Sequence, residues 1–473
     1  MTESLKKRSL EILACALDGA QALSPAEVYL RRRALRTWEF REGELTRVEE
    51  SPLEGCALRL VRDGRLAFGA SSATVDFKAL RKLRGTLESL LTWSPQDSHR
   101  MLPRPQEAMP EASLKLAGAL EDPCLLDGFR DAEPAESGPR FWDPEFIREV
   151  EALARKIDSR IKQVVLLEYA EGSSEAAVAN TLGLCVGKNR TECSLHLELL
   201  AEDGGEVQVG SSSQRRCFRK DLDWKRTVQE AVWTASARLG GRSFAPGRST
   251  VVLDPWVAAE FWEFLAGALR ADRVQRGQSF LCGLEGKKVG SPQANFIDDP
   301  HLPGGVGSCL FDDEGVPTRR RGLIKNGDLT DLLFDSYCAG KAEASGAARG
   351  AVAPDAGSAV RDSFQAAPVP DVSNFYLAGG DMTREELIGG VQRGILVVEV
   401  LGMHMADPNT GEFSVGISGA AIEGGRLTHA VSGAILAGNI LDLLSHMDAV
   451  SADLAFYGGV GSPTVRLADM RVT

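Results

Sequence analysis

The sequence predicts an α+β chain in two parts: an N-terminal mixed-sheet domain carrying helices over 1–240, then a Gly-rich, mainly antiparallel β domain with a few helices over 241–473. Three observations carry this expectation. Through the first half, period-2 alternation and apolar stripes at i, i+3 and i+4 succeed one another. The stretch from Gly240 to Gly247 (Gly-Gly-Arg-Ser-Phe-Ala-Pro-Gly) has the composition of a linker. Beyond it most apolar runs are short and strand-like, in a chain with 49 glycines.

In chain order, Leu10, Leu13 and Leu17 recur at helical spacing after Lys6-Lys7-Arg8. Glu11 and Asp18 interrupt the apolar run, so the segment reads as an amphipathic helix rather than a secretory leader. Ala26 to Arg36 and Trp38 to Val48 alternate as strands, and Cys56 to Phe68 carries the hairpin dipeptide Asp63-Gly64. Leu80, Leu83, Leu87, Leu90 and Leu91 lie on one helical stripe. Residues 94–142 form an irregular, Pro-rich excursion (Pro95, Pro103, Pro105, Pro110, Pro123, Pro134, Pro139). Asp143-Pro144-Glu145 is a helix start, with an N-cap Asp, Pro at N1 and an acid in the first turn, followed by the stripe Phe146, Val150, Leu153 and Ile157. Strands are expected at Val164 to Tyr169, Ala176 to Cys185 and Thr191 to Leu200, a turn at Asp203-Gly204-Gly205, and a helix from Asp223 to Leu239.

In the second half, Thr250 to Asp254 reads as a strand and Trp256 to Leu269 as a helix. Asn326-Gly327 sits between two apolar runs as a hairpin turn. Thr383-x-x-Glu386 is a capping box, Ile395 to Leu401 a buried strand, and Val431 to Leu444 the last long helix.

Composition narrows the function classes. The chain is 43% hydrophobic and 25% charged, and its net charge of −12 repels phosphate backbones, so nucleic acid is not an expected partner. The basic runs Arg319-Arg320-Arg321 and Arg215-Arg216 have acidic neighbours and read as solvated or ion-paired edges. Nine scattered cysteines without a C-x-x-C pair fit reduced thiols better than a disulfide framework. No apolar run approaches the ~20 residues of a membrane span, and a cytoplasmic protein is expected. The six histidines (His99, His196, His301, His404, His429, His446) show no i, i+3 or i, i+4 pair, and neither G-x-S-x-G nor a phosphate-binding loop is present.

Several ordered segments carry a resemblance. They begin with Val178-Ala179-Asn180-Thr181-Leu182-Gly183-Leu184, Arg190-Thr191 and Asp203-Gly204-Gly205. Phe311-Asp312-Asp313-Glu314-Gly315 follows, then Ile324-Lys325-Asn326-Gly327 and Ser336-Tyr337-Cys338-Ala339. Ile422-Glu423-Gly424, Val431-Ser432-Gly433 and Ala437-Gly438-Asn439 close the series. Together, from about Leu60 to the C-terminus, they resemble the TldD/PmbA family of peptidase subunits, on its TldE (PmbA) side.

The resemblance implies a metal site in TldD-type chains: a helical H-E-x-x-x-H and a cysteine near the C-terminus, which together hold a zinc that activates water. Aligned on Asp272 to Ser279, the motif positions fall here on Trp262, Glu263 and Gly267, and the tail from Tyr457 to Pro463 has no cysteine. Trp and Gly do not ligate zinc, so these are vestigial positions, and no catalytic, cofactor or metal residue is assigned. The implied function is a non-catalytic subunit with no cofactor of its own, paired in a heterodimer with a TldD-like partner that supplies zinc, and acting on unfolded or leader peptides held in extended form. Two related folds can pair pseudo-symmetrically by reusing the same patch, and a homodimer is the option for the chain alone. Two alternatives stand beside this: an autonomous homodimeric metallopeptidase with unrecognised ligands, and a peptide-binding accessory protein.

Overall fold

The computed structural model describes residues 2–17, 25–72, 76–105, 120–123, 125, 140–344 and 355–473. Most of the Pro-rich excursion, including Pro110, Pro134 and Pro139, lies outside them, as do Asp18 and Cys124. In the first half the elements are α1 (Thr2–Leu17), β1 (Ala26–Arg41), β2 (Glu44–Arg62), β3 (Arg65–Ser71), α2 (Phe77–Leu91), α3 (Pro144–Ile157), β4 (Ile161–Asn180), β5 (Cys185–Asp203), β6 (Glu206–Arg216) and α4 (Trp224–Ser236).

The six strands form one sheet in the order β3-β2-β1-β4-β5-β6. Every neighbouring pair in it is antiparallel, so the mixed pairing expected in this half is not found there. The strands are also longer than their patterns suggested. Thr37 does not end β1, because its backbone continues the ladder between Glu49 and Ala170. The segment expected at 164–169 and the first half of that expected at 176–185 are parts of β4, joined through Gly172, where a Cβ would overlap the Ala34 carbonyl; the second segment then breaks after Asn180 in a turn, and its last residue, Cys185, starts β5.

Alternation gives the sheet two apolar faces. Val28, Leu30, Leu58 and Leu60 pack under α1 and α2. Further along the same face, Phe40, Val164, Leu167 and Leu197 pack under α3 and α4. The other face presents Tyr29, Ala57, Ala176 and Val178 to Phe364 of the second half. Asp143 caps α3 by accepting from Glu145 N at 2.9 Å, with Pro144 at N1, as its sequence predicts.

The second half contains β7 (Gly247–Leu253), α5 (Pro255–Ala268), α6 (Ala271–Gln275), β8 (Phe296–Asp298), β9 (Arg321–Lys325), β10 (Asp328–Leu329), α7 (Ser336–Ala344), β11 (Ala359–Val360), β12 (Val369–Pro370), β13 (Phe375–Leu377) and α8 (Arg384–Gly389). It continues with β14 (Arg393–Leu401), β15 (Glu412–Glu423), β16 (Arg426–Asn439), α9 (Ile440–Ser445), β17 (Met447–Val450), β18 (Ala455–Tyr457), β19 (Val460–Ser462) and β20 (Val465–Val472). Two six-stranded sheets, β10-β9-β8-β13-β19-β18 and β16-β15-β14-β7-β20-β17, share one core with α5. Parallel pairing occurs here, between β14 and β7 and between β13 and β19.

The helix expected over Val431 to Leu444 is a strand for most of its length: β16 pairs with β15 as far as Asn439, and only Ile440–Ser445 is helical. A short apolar run does not distinguish a buried strand from a helix, and here the neighbouring β15 offered a ladder. Asn326 and Gly327 take φ +51° and +82° in the β9–β10 turn, and Thr383 with Glu386 forms the capping box of α8. Among the described residues no helix is long and apolar enough to cross a membrane.

Candidate functional site

Helix α5 carries the three positions, Trp262, Glu263 and Gly267, on which the resemblance places the motif. Asp254 accepts from Trp256 N at 3.4 Å and Pro255 occupies the first turn, so the helix begins where β7 ends. Its sequence is apolar almost all round, as suits a helix packed in the core of two sheets. The less buried stripe is Trp256, Glu260, Glu263 and Gly267, at i, i+4, i+7 and i+11.

The three motif positions therefore part company. Trp262 is fully buried, stacks edge-on to Phe296 at 4.9 Å, and donates from Nε1 to Ser462 Oγ at 2.8 Å. Ser462 belongs to the C-terminal tail, so helix and tail do meet at Trp262, through an indole and a hydroxyl. Glu263 faces solvent on the outer stripe. Gly267 is half-buried, and a Cβ there would lie 3.5 Å from the Arg273 guanidinium. The donor set does not fit zinc: an indole N–H has no lone pair to give, glycine has no side chain, and the lone carboxylate points outward. Among the described residues no group of three or more His, Cys, Asp or Glu is placed to hold a metal ion.

Beside the start of α5 opens a cleft of about 790 Å³, between β6 and α4 of the first half and α5, α8, β16 and the tail of the second. This is within the range of ligand sites. Its aromatic walls are Trp233, Trp256 and Tyr457, the last two edge-to-face at 5.0 Å. Two charge pairs flank them: Arg384 with Asp254 at 2.6 Å, and Arg226 with Glu230 at 2.7 Å. Burial pushes the Asp254 carboxyl up against the opposing pull of Arg384. Burial, reinforced by Glu230 and Asp254, pushes the Tyr457 phenol up and keeps it protonated. The Trp233 Nε1–H is buried and has no acceptor among the described residues. Both β6 and β18 are edge strands of their sheets and both border the cleft, through Ser211, Ser212 and Tyr457. On the outer stripe of α5, burial and the neighbouring carboxylates of Glu263 and Glu399 push Glu260 up to about 7.

The Asp312-Asp313-Glu314-Gly315 segment lies elsewhere, pressed on the second face of the N-terminal sheet. Arg59 of β2 bridges Glu27 and Glu314 at 2.6 Å each, and Arg361 joins Glu27 at 2.7 Å. Lys188 pairs with Asp313 at 2.8 Å, and Tyr29 donates to the same oxygen at 3.2 Å. Although burial raises it, Lys188 holds the Asp313 carboxyl below its ordinary range. Gly315 has φ +81°, and a Cβ there would press on Leu184, Val178 and Val186. This motif fastens the two halves of the chain together. The basic runs are likewise paired: Arg319 with Asp355, Arg320 with Asp299, Arg321 with Asp331 and Arg215 with Glu192.

Sequence reasoning missed the cleft residues because they come from six separated segments. The one local signal was the Asp254-Pro255 helix start beside an apolar strand.

Comparison with known proteins matches three consecutive parts of the chain: residues 26–88 to the PmbA/TldA metallopeptidase domain 1, 141–239 to the central domain and 246–473 to the C-terminal domain. A metalloprotease of Methanothermobacter thermautotrophicus is 30% identical over 368 residues, covering 72% of this chain and 76% of the relative. Metalloprotease PmbA of Escherichia coli is 26% identical over 331 residues, covering 69% of each. The fold matches solved TldE from Thermococcus kodakarensis, with a TM-score of 0.79 at 20% identity over 100% of this chain and 99% of that one. It also matches a Thermotoga maritima protein, with a TM-score of 0.82 at 21% identity over 99% and 100%. The chain belongs to the PmbA/TldD metallopeptidase family.

Proposed function

We propose that this chain is the metal-free subunit of a two-subunit peptidase, holding an extended peptide while a TldD-like partner supplies the zinc. The observation that carries the reading is Trp262. Its buried indole, hydrogen-bonded to Ser462, takes up the contact between helix and tail in which a ligand set would be expected, and Glu263 faces away from it.

The cleft at the start of α5 supplies what a peptide-holding role requires. Its aromatic walls accept apolar side chains, and its two bordering edge strands offer main-chain partners that do not read sequence. The pairs Arg384–Asp254 and Arg226–Glu230 fix its charged groups in place. The partner, its heterodimeric pairing and the unfolded or leader-type substrate rest on family likeness and belong to the proposal, as does a cytoplasmic site of action.

The test is metal content and peptide hydrolysis of the chain purified alone, with and without chelator. Sub-stoichiometric zinc, no chelator-sensitive cleavage, and cleavage appearing on addition of a TldD-like chain support the reading. About one zinc per chain with chelator-sensitive cleavage replaces it with an autonomous peptidase.

A further inference from the structure

A second cavity, of about 300 Å³, lies between the two halves on the second face of the N-terminal sheet, and no residue lines both it and the cleft. The register of three strands sets its floor. Arg31 of β1, Ala176 of β4 and Lys188 of β5 stand in one row, and Arg33, Ser174 and Arg190 in the next. Directly opposed residues share a face, so the short side chains of Ala176 and Ser174 form a trough. Arg31 and Arg33 flank it on one side, Lys188 and Arg190 on the other, about 10 Å away across two strand spacings. Arg215 of β6 also reaches the cavity. In a chain of net charge −12, this is a local concentration of positive charge.

The carboxylates around the trough are already engaged. Asp313 accepts from Lys188, Tyr29 and the Arg361 N–H. Both oxygens of Glu192 are taken, one by Arg33 at 2.7 Å and the other by Arg215. Asp312 accepts from the backbone N–H groups of Glu314, Val316 and Ala359, and burial with the neighbouring Glu314 pushes its carboxyl up. Asp298 is 3% exposed and is held by the Ser373 N–H and hydroxyl, while Asp371 lies 3.9 Å from Arg270. Two of the guanidiniums have no such partner. Among the described residues, Arg31 donates only to the carbonyls of Arg361 and Asp362, and Arg190 only to that of Val306. One Nη of each is used in this way, and a carbonyl does not neutralise the charge. A ligand can reach these cations: Arg31 and Arg190 are half-buried, and the Lys188 and Arg215 side chains are 33% and 43% exposed.

We propose that this cavity binds a small, multiply charged oxyanion, a phosphate ester or a polycarboxylate. Planar guanidiniums present forked N–H groups that match carboxylate and phosphate oxygens alike, and their placement on both sides of the trough calls for more than one negative charge. A volume of 300 Å³ is at the low end of ligand cavities, which suits a small molecule and excludes a polymer. The floor belongs to the first half and the wall from Val306 to Leu310 to the second, so a bound anion also ties the halves together.

Because the cleft shares none of these residues, the inference stands or falls apart from the peptide-holding role. Calorimetric titration of the full chain in phosphate-free buffer decides it, with inorganic phosphate, citrate and acetate as probes. The expected result is 1:1 binding of phosphate or citrate with Kd below about 1 mM, and at least tenfold weaker binding of the singly charged acetate. The tighter of the two multiply charged probes assigns the class, phosphorylated for phosphate and polycarboxylate for citrate. Arg31→Gln and Arg190→Gln, each first checked for an unchanged melting temperature, are expected to weaken binding about tenfold or more through loss of a charged hydrogen bond. Arg319→Gln, whose partner Asp355 lies outside the cavity, should leave affinity unchanged. Should both cavity variants be destabilised, the native chain alone carries the test, since a saturating anion that binds the folded state must raise its melting temperature. Absence of binding by phosphate and citrate at about 10 mM overturns the proposal. So do equal affinity for acetate, unchanged affinity in either folded cavity variant, equal weakening by Arg319→Gln, or a melting temperature that does not rise.

Discussion

Replacing Arg59 with Met tests the claim that the Asp-Asp-Glu segment locks the two halves together. The guanidinium is 7% exposed and holds Glu27 and Glu314 at 2.6 Å each. At charge separations of roughly 4 Å and an effective dielectric of about 20, each pair has a gross attraction of about 4 kcal/mol. Desolvation offsets much of that in the intact network, but removing the shared cation strands Glu314 and leaves Glu27 with Arg361 alone, and breaking a buried pair costs about 3–5 kcal/mol. The sign of the pH dependence follows from Glu314. Burial raises its carboxyl, yet Arg59 and the Ser336 N–H bring it below the ordinary range. In the native chain its contribution is therefore present above the unfolded value and lost as pH falls through the folded one. Without Arg59, burial dominates and the carboxyl titrates above its unfolded value. The variant's deficit should then be full at pH 8 and shrink toward pH 5, as the stranded Glu314 takes up a proton. Urea unfolding of both chains at the two pH values, followed by tryptophan fluorescence, reads this directly. A deficit below about 1 kcal/mol at pH 8, or one of equal size at pH 5, would refute the buried-network account.

Trp262 and Glu263 should respond unequally to substitution. Trp262→Ala empties a fully buried site and frees the Ser462 hydroxyl, costing about 3–5 kcal/mol, whereas Glu263→Ala on the outer stripe should stay within about 0.5 kcal/mol in the same denaturation assay. Glu260→Gln should melt higher than the native chain at pH 8 and equally at pH 4. The native carboxyl is pushed up to about 7, so ionising it opposes folding as pH rises from its unfolded value through that point. Gly327→Ala combines a left-handed backbone with overlap on the Gly290 carbonyl, and should cost well over the ~1–2 kcal/mol set by left-handed backbone alone. Gly204→Ala, left-handed but in open space, should cost no more than that, and equal melting shifts for the two would refute the steric argument.

Local chemistry was legible in the sequence wherever one short segment determined the outcome. Asp143-Pro144-Glu145, Asn326-Gly327 and Thr383-x-x-Glu386 each form the cap or turn their residues demand, because the deciding groups are within four positions of one another. The misreadings fall where a distant strand decided. Ala430 to Leu436 carries a pattern open to either helix or strand, and β15 settled it by pairing Val431 with Gly419 and Leu436 with Val415. Likewise Thr37 breaks the apolar alternation of β1 without breaking its ladder, since backbone pairing is indifferent to the side chain. The cleft was illegible for the same reason on a larger scale. Ser212, Trp233, Asp254, Arg384 and Tyr457 converge only after α4 packs on β6 and the tail joins the sheet as β18 and β19. The Asp312–Glu314 motif could be located but not interpreted, because its partners Glu27, Arg59 and Lys188 are strand residues of the other half.

On the proposed reading, the substitution at Trp262 does more than remove a ligand. A metal shared by helix and tail is also a cross-link, since binding energy at such a site is folding energy. A chain that loses the ion must hold its tail by other means. Here the indole N–H bonds to Ser462 while the ring packs on Phe296, so one side chain ties α5 to β19 and to β8. The tail is then fixed up to Tyr457, which packs against Trp256 on the wall of the cleft. The same residue that removes the metal site thus braces the peptide-holding one. Trp262→His should accordingly loosen the cleft without creating a zinc site, because Gly267 and Ser462 still supply no second or third ligand.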